Sequence, residues 1–180
     1  MKKPVFVSAQ DAAAMIGDGK TVATIGMTLV SASETILKAI EKRFLETGSP
    51  NQLTLVHSCG QSDRDRGIQH FSHDGMLKCI IGGHWGLQPR MMKMIAENKM
   101  LAYCLPQGQF AQLYRSMAGG EPGKITKVGL GTFIDPRLGG GKMNEITPAD
   151  VIQWQNTIQE KGYSKTYERM IQNQLNALFN

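Results

Sequence analysis

The sequence predicts an α/β domain built on a mostly parallel sheet with helices on both faces. Segments with strand character alternate with segments of helical periodicity from Ser8 to Asp135, and the strand segments are almost continuously apolar. Polar loops containing glycine follow the strand ends at "GMT", "HSCGQ", "GGHWG" and "LPQGQ". Because ligands of open α/β sheets bind at the carboxyl edge of the strands, we expect the functional site among these loops.

The first helix and the first strand have clear boundary signals. Ser8 is a good N-cap and Asp11 follows three residues later, which is close to a capping box, so a short helix should end at Gly17 or Gly19. The stretch 20–27, "KTVATIGM", alternates β-forming residues and stops near a glycine, as expected for a strand that runs into a turn.

The second helix is predicted over 31–48, with Gly48 as its C-cap and Pro50 beyond it. Its apolar side chains recur at helical spacing, at Ile36, Leu37, Ile40, Phe44 and Leu45. The remaining segments alternate in the same way: strands at 52–60, 76–86, 100–108 and 124–135, and helices at 88–99 and 110–120.

The composition changes after Thr147, which divides the chain into a domain at 1–147 and a tail at 148–180. The tail is rich in Gln and Asn and has apolar residues at helical spacing, so it is either two amphipathic helices around Gly162 or poorly ordered.

Charge and cysteine content narrow the class of protein. The net charge of +5 favours either anionic ligands, such as nucleotides, CoA or nucleic acid, or a solvated basic surface, and the basic surface is the favoured interpretation. We expect neither a nucleic acid nor a membrane partner. The cysteines Cys59, Cys79 and Cys104 are odd in number and lack CxxC spacing, so neither a disulfide framework nor a zinc site is predicted. No signal peptide or membrane-length apolar stretch is present, which favours the cytoplasm.

The run Gly139-Gly140-Gly141-Lys142 invites comparison with a phosphate-binding loop. A P-loop needs a glycine where Pro136 stands and Ser or Thr where Met143 stands, so that interpretation fails. A dinucleotide-binding fingerprint also fails, because "IGMTLVSA" contains one glycine where three are needed.

Histidines and charged residues give weaker signals. His70 and His73 could share a helix face and bind a metal with Asp74, although surface histidines are the favoured interpretation, and we predict no metal site. His57 and His84 belong to no metal motif, and the "SDRDRG" loop is interpreted as solvated ion pairs.

Gln107 is the strongest single candidate for a chemical role. It follows a predicted strand directly and stands between Pro106 and Gly108. An amide donor at the carboxyl edge can stabilise an oxyanion or hold a carboxylate, whereas the alternative is an ordinary turn glutamine. The residues alone leave both interpretations open.

The motifs "GGHWG", "PQG", "GLGTFIDPR" and "GGK" occur together in this order, within a region from about residue 7 to 147. This region resembles family I CoA-transferases, most closely the single-chain acetate or propionate type, also called acyl-CoA:acetate/3-ketoacid CoA-transferase. The resemblance implies an amino-terminal, α-like half of an enzyme that moves CoA between a short-chain acyl-CoA and a free carboxylate, as in ketone-body and short-chain fatty acid metabolism.

The resemblance also implies roles for particular residues. Gln107 corresponds to a glutamine near the reacting carboxyl, while Gly26 and Gly108 would lie against substrate or CoA. Coenzyme A would be a substrate, no cofactor is expected, and the complete enzyme would be an oligomer. Met27 and Leu29 depart from the family's more glycine-rich turn, which leaves the size of the acyl pocket open.

The family's nucleophilic glutamate has no counterpart here, since it belongs to the second, β-like half. None of Glu145, Glu160 and Glu168 is assigned that role, so we expect the isolated chain, interpreted as a fragment, to be inactive. The alternatives are a true α subunit that pairs with a separate β chain, a non-catalytic module that binds CoA or another anion, and a non-functional remnant.

Overall fold

A computed structural model shows a sheet of parallel strands that follow one another in chain order. It describes residues 5–121, 123–132 and 135, together with residues 152, 156 and 160. The sheet order is β1-β2-β3-β4, and every neighbouring pair is parallel. The α/β class predicted from the sequence is therefore confirmed, with strands at Thr21–Thr24, Leu53–His57, Leu77–Gly82 and Leu101–Cys104.

The helices occur close to where the sequence predicts them, but the first helix ends at Ala14 and not at Gly17 or Gly19. They are α1 (Ala9–Ala14), α2 (Glu34–Thr47), α3 (Pro89–Ala96) and α4 (Gln107–Ala118), with an additional 3₁₀ helix at Gly67–Phe71 between β2 and β3.

Both predicted helix caps are confirmed. The hydroxyl of Ser8 accepts a hydrogen bond from the Asp11 amide while the Asp11 carboxylate accepts from Ser8, which completes the capping box. Gly48 ends α2 in a left-handed conformation with φ of 73°, which glycine adopts without a steric penalty.

The strand predicted at 124–135 is wrong for the residues that the structure describes. Residues 123–127 belong to no helix or strand and residues 128–131 form turns, in which Gly129 and Gly131 have φ values of 97° and 74° that an extended strand cannot contain. The carboxylate of Asp135 accepts a hydrogen bond of 2.6 Å from the Gly131 amide. Ile125 is 99% exposed, so its apolar character reflects no buried strand.

The core lies against one face of the sheet. On that face Leu55, Ile80 and Ala102 are fully buried, and they pack in one cluster with side chains from the helices and loops. On the opposite face Val56, Ile81 and Tyr103 are half-buried. The helix and loop side chains in the cluster include Leu37, Ile40, Ile68, Phe71, Trp85, Met91, Met94 and Ile95. The methionines of α3 therefore serve as core packing.

Two predictions fall outside the described residues. One concerns the stretch around Gly139-Gly140-Gly141-Lys142. The other concerns the 148–180 tail and its domain boundary; within the tail only residues 152, 156 and 160 are described. None of the described helices is long and apolar enough to cross a bilayer.

Candidate active site

The carboxyl ends of the strands lie side by side, so the loops that follow them form a single edge. The register aligns Thr24 with His57, His57 with Gly82, and Gly82 with Cys104. Direct contacts then join each loop to its neighbour, as the following paragraphs describe. The predicted gathering of polar and glycine-containing loops at this edge is therefore confirmed.

The turn after β1 is fixed to the loop after β2. The Cys59 thiol donates to the Gly26 carbonyl over 2.7 Å, and the Thr28 amide donates to the Gly60 carbonyl over 2.8 Å. Gly26 has a φ of 145°, and a Cβ there would lie 2.8 Å from the Val30 carbonyl oxygen. Glycine is therefore required at this position by conformation and by space.

The same turn contains strained residues in place of further glycines. Thr28 and Ser31 have φ values of 52° and 63°, in the left-handed region that non-glycine residues seldom occupy. A bridge between Met27 and Val30 closes the turn. The turn thus reaches a sharply bent shape with a single glycine, and the bulkier Met27 side chain is 65% exposed.

A buried histidine connects the loops after β2 and β3. The ring of His57 is fully buried, its Nδ1 lies 2.8 Å from the Cys59 carbonyl, and its Nε2 lies 2.9 Å from Nε1 of buried Trp85. Because an indole N–H only donates, Nε2 must accept, so the proton is on Nδ1 and the imidazole is neutral. Burial lowers the pKa of His57 to about 4; the hydrogen bond that Nδ1 donates to the Cys59 carbonyl opposes this lowering, and the charge of His84 adds to it.

The paired glycines after β3 allow this close packing. A Cβ at Gly82 would lie 2.2 Å from His57 Nε2, and one at Gly83 would lie 2.4 Å from the Ser58 carbonyl oxygen. The Leu105 amide donates to the Gly82 carbonyl over 3.0 Å, which joins the loop after β4 to the same edge. Side chains larger than hydrogen at either glycine would push these loops apart.

Gln107 is the first residue of α4, with Pro106 as its N-cap, so it lies in a helical turn and not in a loop. Its side chain is exposed and, among the described residues, makes no hydrogen bond. No atom lies within 4 Å of a Cβ built on Gly108, so the backbone at this helix end is open to a ligand. A helix N-terminus favours a negative charge, which suits a carboxylate or an oxyanion.

The predicted site residues lie on the same edge but at opposite ends of it. Gly26 follows β1 and Gln107 with Gly108 follows β4, with two strands between them. Three strand spacings of about 4.8 Å separate the outer strands by roughly 14 Å. The structure therefore does not bring Gly26 into contact with Gln107, and a ligand that touches both must lie along the edge.

Three buried polar atoms at this edge were missed by the sequence reasoning. Among the described residues, Thr24 Oγ1, Gln61 Nε2 and the Tyr114 hydroxyl are buried without a hydrogen-bond partner. Burial raises the pKa of Tyr114, and the charge of Cys59 raises it further, which places this tyrosine of α4 close to the loop after β2. Their spacing along the chain gives no signal, because they come from separate segments.

His70 and His73 are bound to carboxylates of α2. The Nε2 atom of His73 lies 2.7 Å from Glu41, and both ring nitrogens of His70 lie against Glu34 and Glu41. Within the described ranges no group of three or more His, Cys, Asp or Glu could hold a metal ion. The sequence did contain one signal for this contact: Glu34 and Glu41 have i, i+7 spacing, which matches two helical turns and places both on one face of α2.

The "SDRDRG" loop contains the predicted ion pair. Arg66 binds Asp63 with a side-chain nitrogen-to-oxygen distance of 2.6 Å, and both residues are exposed. The backbone amide and the guanidinium of Arg66 lower the pKa of Asp63 to about 2. His84 is exposed beside Gly60 and Gly86.

Comparison with known proteins gives a consistent family. The chain matches the sequence model of the family described as Coenzyme A transferase over residues 6–168. Caffeate CoA-transferase of Acetobacterium woodii is 42% identical over 149 residues, which are 82% of this chain and 28% of that protein. The acetate CoA-transferase subunit alpha of Escherichia coli K12 is 26% identical over 133 residues, which are 74% of this chain and 58% of that subunit.

A solved structure agrees with these relatives. The acyl-CoA transferase YdiF of Escherichia coli O157:H7, crystallised as a thioester complex with CoA, superposes with a TM-score of 0.72 at 38% identity. The superposition covers 78% of this chain and 29% of that one, so the chain spans little more than a quarter of the length of such proteins. From its sequence, its parallel sheet and this likeness, the chain belongs to the coenzyme A transferase family.

Proposed function

We propose that this chain supplies one side of the active site of an acyl-CoA:carboxylate CoA-transferase that acts on short-chain substrates of the acetate, propionate or 3-ketoacid type. The observation that carries the proposal is the open amino-terminal end of α4 at the carboxyl edge, where Gln107 and Gly108 are exposed beside the joined strand-end loops. The relatives named as CoA-transferases support the reaction class.

In the proposed chemistry, the two halves of the active site have different roles. A glutamate from the second half attacks the thioester carbonyl, the CoA thiolate leaves, and an acyl-glutamyl anhydride forms. The thiolate then attacks the glutamyl carbonyl, which releases the free carboxylate and leaves a glutamyl-CoA thioester. The steps reverse with the acceptor carboxylate. CoA is therefore a substrate, and the reaction requires no further cofactor.

This chain would stabilise the charge that develops on oxygen in those steps. The Gln107 amide is an uncharged donor, and the first-turn amides of α4 carry the positive end of the helix dipole. The Gln107 amide and the first-turn amides of α4 both stabilise a carboxylate in the ground state and an oxyanion in the transition state. Gly108 would allow a substrate to approach the helix backbone, and Gly26 would contact the part of the substrate at the far end of the edge.

The complete enzyme in this proposal contains a second, β-like half and works as an oligomer in the cytoplasm, without a nucleic acid or membrane partner. The second half could follow in the same polypeptide or be a separate subunit. The match to 58% of an acetate CoA-transferase alpha subunit favours keeping the two-chain arrangement as an alternative. Without that half we expect no turnover.

The test combines the purified chain with β-type subunits that carry the glutamate and measures transfer of CoA from acetyl-CoA to labelled propionate. We expect Gln107→Leu to lower the transfer rate about 100-fold, which is the usual effect of removing one oxyanion donor. Gln112→Leu is the matched control, since Gln112 is an exposed glutamine on the same helix. It should leave the rate unchanged.

The outcomes separate the alternatives. Absence of transfer with every β-type subunit would contradict the two-chain arrangement, and equal loss in both glutamine variants would contradict the role of Gln107. Calorimetry of the chain alone with CoA and acetyl-CoA tests the binding-module alternative. Tight binding without a partner would favour that module over a half-site.

A further inference from the structure

A cluster of two glutamates and two histidines lies between α2 and the 3₁₀ helix Gly67–Phe71. Glu34 and Glu41 stand two turns apart on α2, and His70 lies between them with Nε2 2.9 Å from Glu34 and Nδ1 2.5 Å from Glu41. Nε2 of His73 donates to the other oxygen of Glu41 over 2.7 Å. The His70 side chain is 8% exposed, so water does not substitute for these contacts.

The geometry around His70 fixes its protonation state. A neutral imidazole has one N–H, so only one of its nitrogens can donate to a carboxylate. Burial raises the pKa values of Glu34 and Glu41, but hydrogen bonds from His70, His73 and the Gly67 amide outweigh it, and both pKa values fall below the ordinary range. Each ring nitrogen of His70 faces a carboxylate oxygen of a different glutamate, and the ring donates to both only when both nitrogens carry a proton.

The same contacts connect two loops of the candidate active site. Glu34 is the first residue of α2, so it directly follows the turn that begins at Gly26. Its second carboxylate oxygen accepts from the Gly67 amide over 2.9 Å, and the Ile68 amide donates to the Gln61 carbonyl over 2.9 Å. A displacement of Glu34 relative to His70 would therefore move the turn after β1 relative to the loop after β2.

We propose that the imidazolium of His70 acts as a proton-dependent clasp, which fixes the turn after β1 against the loop after β2 and loosens when His70 loses a proton. The neutral ring would keep one carboxylate contact and turn a lone pair toward the other carboxylate. That arrangement is repulsive in a site that is nearly closed to water.

Other charged and titratable groups surround the two glutamates of the clasp. On α2, Lys38 lies 3.6 Å from Glu34 and balances part of its charge. On the loop after β2, Arg66 interacts electrostatically with Glu34 and stays charged. His73 shares Glu41 and stacks obliquely on Phe44, with ring centroids 5.9 Å apart. As pH rises the imidazolium contacts are lost, and as pH falls the glutamates become protonated, so the clasp closes between these limits.

The clasp does not depend on the transfer reaction, and its test uses the chain without substrate. Histidine ring nitrogens are followed by ¹⁵N NMR from pH 5.5 to 9, while amide exchange is measured at Gly67 and at Thr28, whose amide binds Gly60 across the two loops. We expect both His70 nitrogens to carry a proton wherever the two amides are protected. We also expect the protection factors of the two amides to fall at least tenfold as His70 deprotonates.

Variants give an independent measurement. His70→Gln and Glu41→Gln should lower the protection of both amides at pH 5.5 and remove its dependence on pH up to pH 9. His84→Gln, which changes an exposed histidine, should behave as the unaltered chain. A neutral His70 with one protonated nitrogen while both amides are protected would overturn the proposal. So would protection factors that stay constant through the titration of His70 in the unaltered chain, a measurement that requires no variant to fold.

Discussion

Acid should destabilise the folded chain through His57, because this histidine is neutral and fully buried between Cys59 and Trp85. Burial lowers its pKa from an ordinary 6.5 to about 4 in the folded chain. Between these values the unfolded chain binds a proton that the folded chain excludes, so the free energy of unfolding falls as pH falls. The stabilisation is complete above the pKa of His57 in the unfolded chain, and it is lost as pH falls toward the pKa in the folded chain.

The size of the effect follows from the two pKa values. One proton changes the free energy of unfolding by about 1.4 kcal/mol per pH unit between them. At pH 4.5 the predicted loss is between about 2 and 3 kcal/mol, whereas at pH 7.5 it is close to zero. Such a loss is a large part of the typical stability of a domain.

Urea unfolding followed by circular dichroism at pH 7.5, 6, 5 and 4.5 measures this loss. His57→Asn removes the titrating group but keeps an amide that can donate to the Cys59 carbonyl, so its stability should be lower at pH 7.5 and decline less in acid. His84→Asn, at an exposed position, is the control; it should lose stability in acid as the unaltered chain does, only slightly less, because the charge of His84 adds to the lowering of the pKa of His57. Parallel stability curves for the unaltered chain and His57→Asn would refute the reasoning.

Four further substitutions, one of them a control, test backbone conformation and helix capping. Gly82→Ala should lower the free energy of unfolding by about 3 kcal/mol or more, because its Cβ would lie 2.2 Å from His57 Nε2. Gly17→Ala is the control, since the atom nearest to its Cβ would be 3.8 Å away, and it should change that free energy by less than about 1 kcal/mol. Ser31→Gly should stabilise by about 1 kcal/mol by relieving a φ of 63°, and a loss of stability in thermal melts would contradict this. Ser8→Ala should cost about 1 kcal/mol through the lost capping box, measured by urea unfolding, and an unchanged midpoint would count against it.

The core elements were predictable because their signals are local. Apolar periodicity identified the helices and strands from Ser8 to Ala118, and the caps at Ser8 and Gly48 followed from residue type alone. The strand expected at 124–135 was wrong because a β-like composition does not reveal that Gly129 and Gly131 take left-handed conformations. In that stretch the backbone angle decided the structure and the side-chain pattern did not.

The sequence predicted where the site lies, but not which side chains meet there. The sequence indicated the carboxyl edge and the end of the "LPQGQ" segment, because strand ends and proline-flanked turns are local features. It gave no indication that His57 accepts from Trp85, that Tyr114 lies near Cys59, or that His70 binds two glutamates. Each of these pairs is separated by 28 or more residues.

By itself, then, the sequence determined the α/β class, the order of the elements, the family likeness and the importance of Gln107 as a candidate. The tertiary structure alone decided which polar groups meet and in which protonation state they are held. The reason is physical: periodicity and capping act over a few residues, whereas burial and hydrogen bonding at the sheet edge depend on the register of strands far apart in the chain.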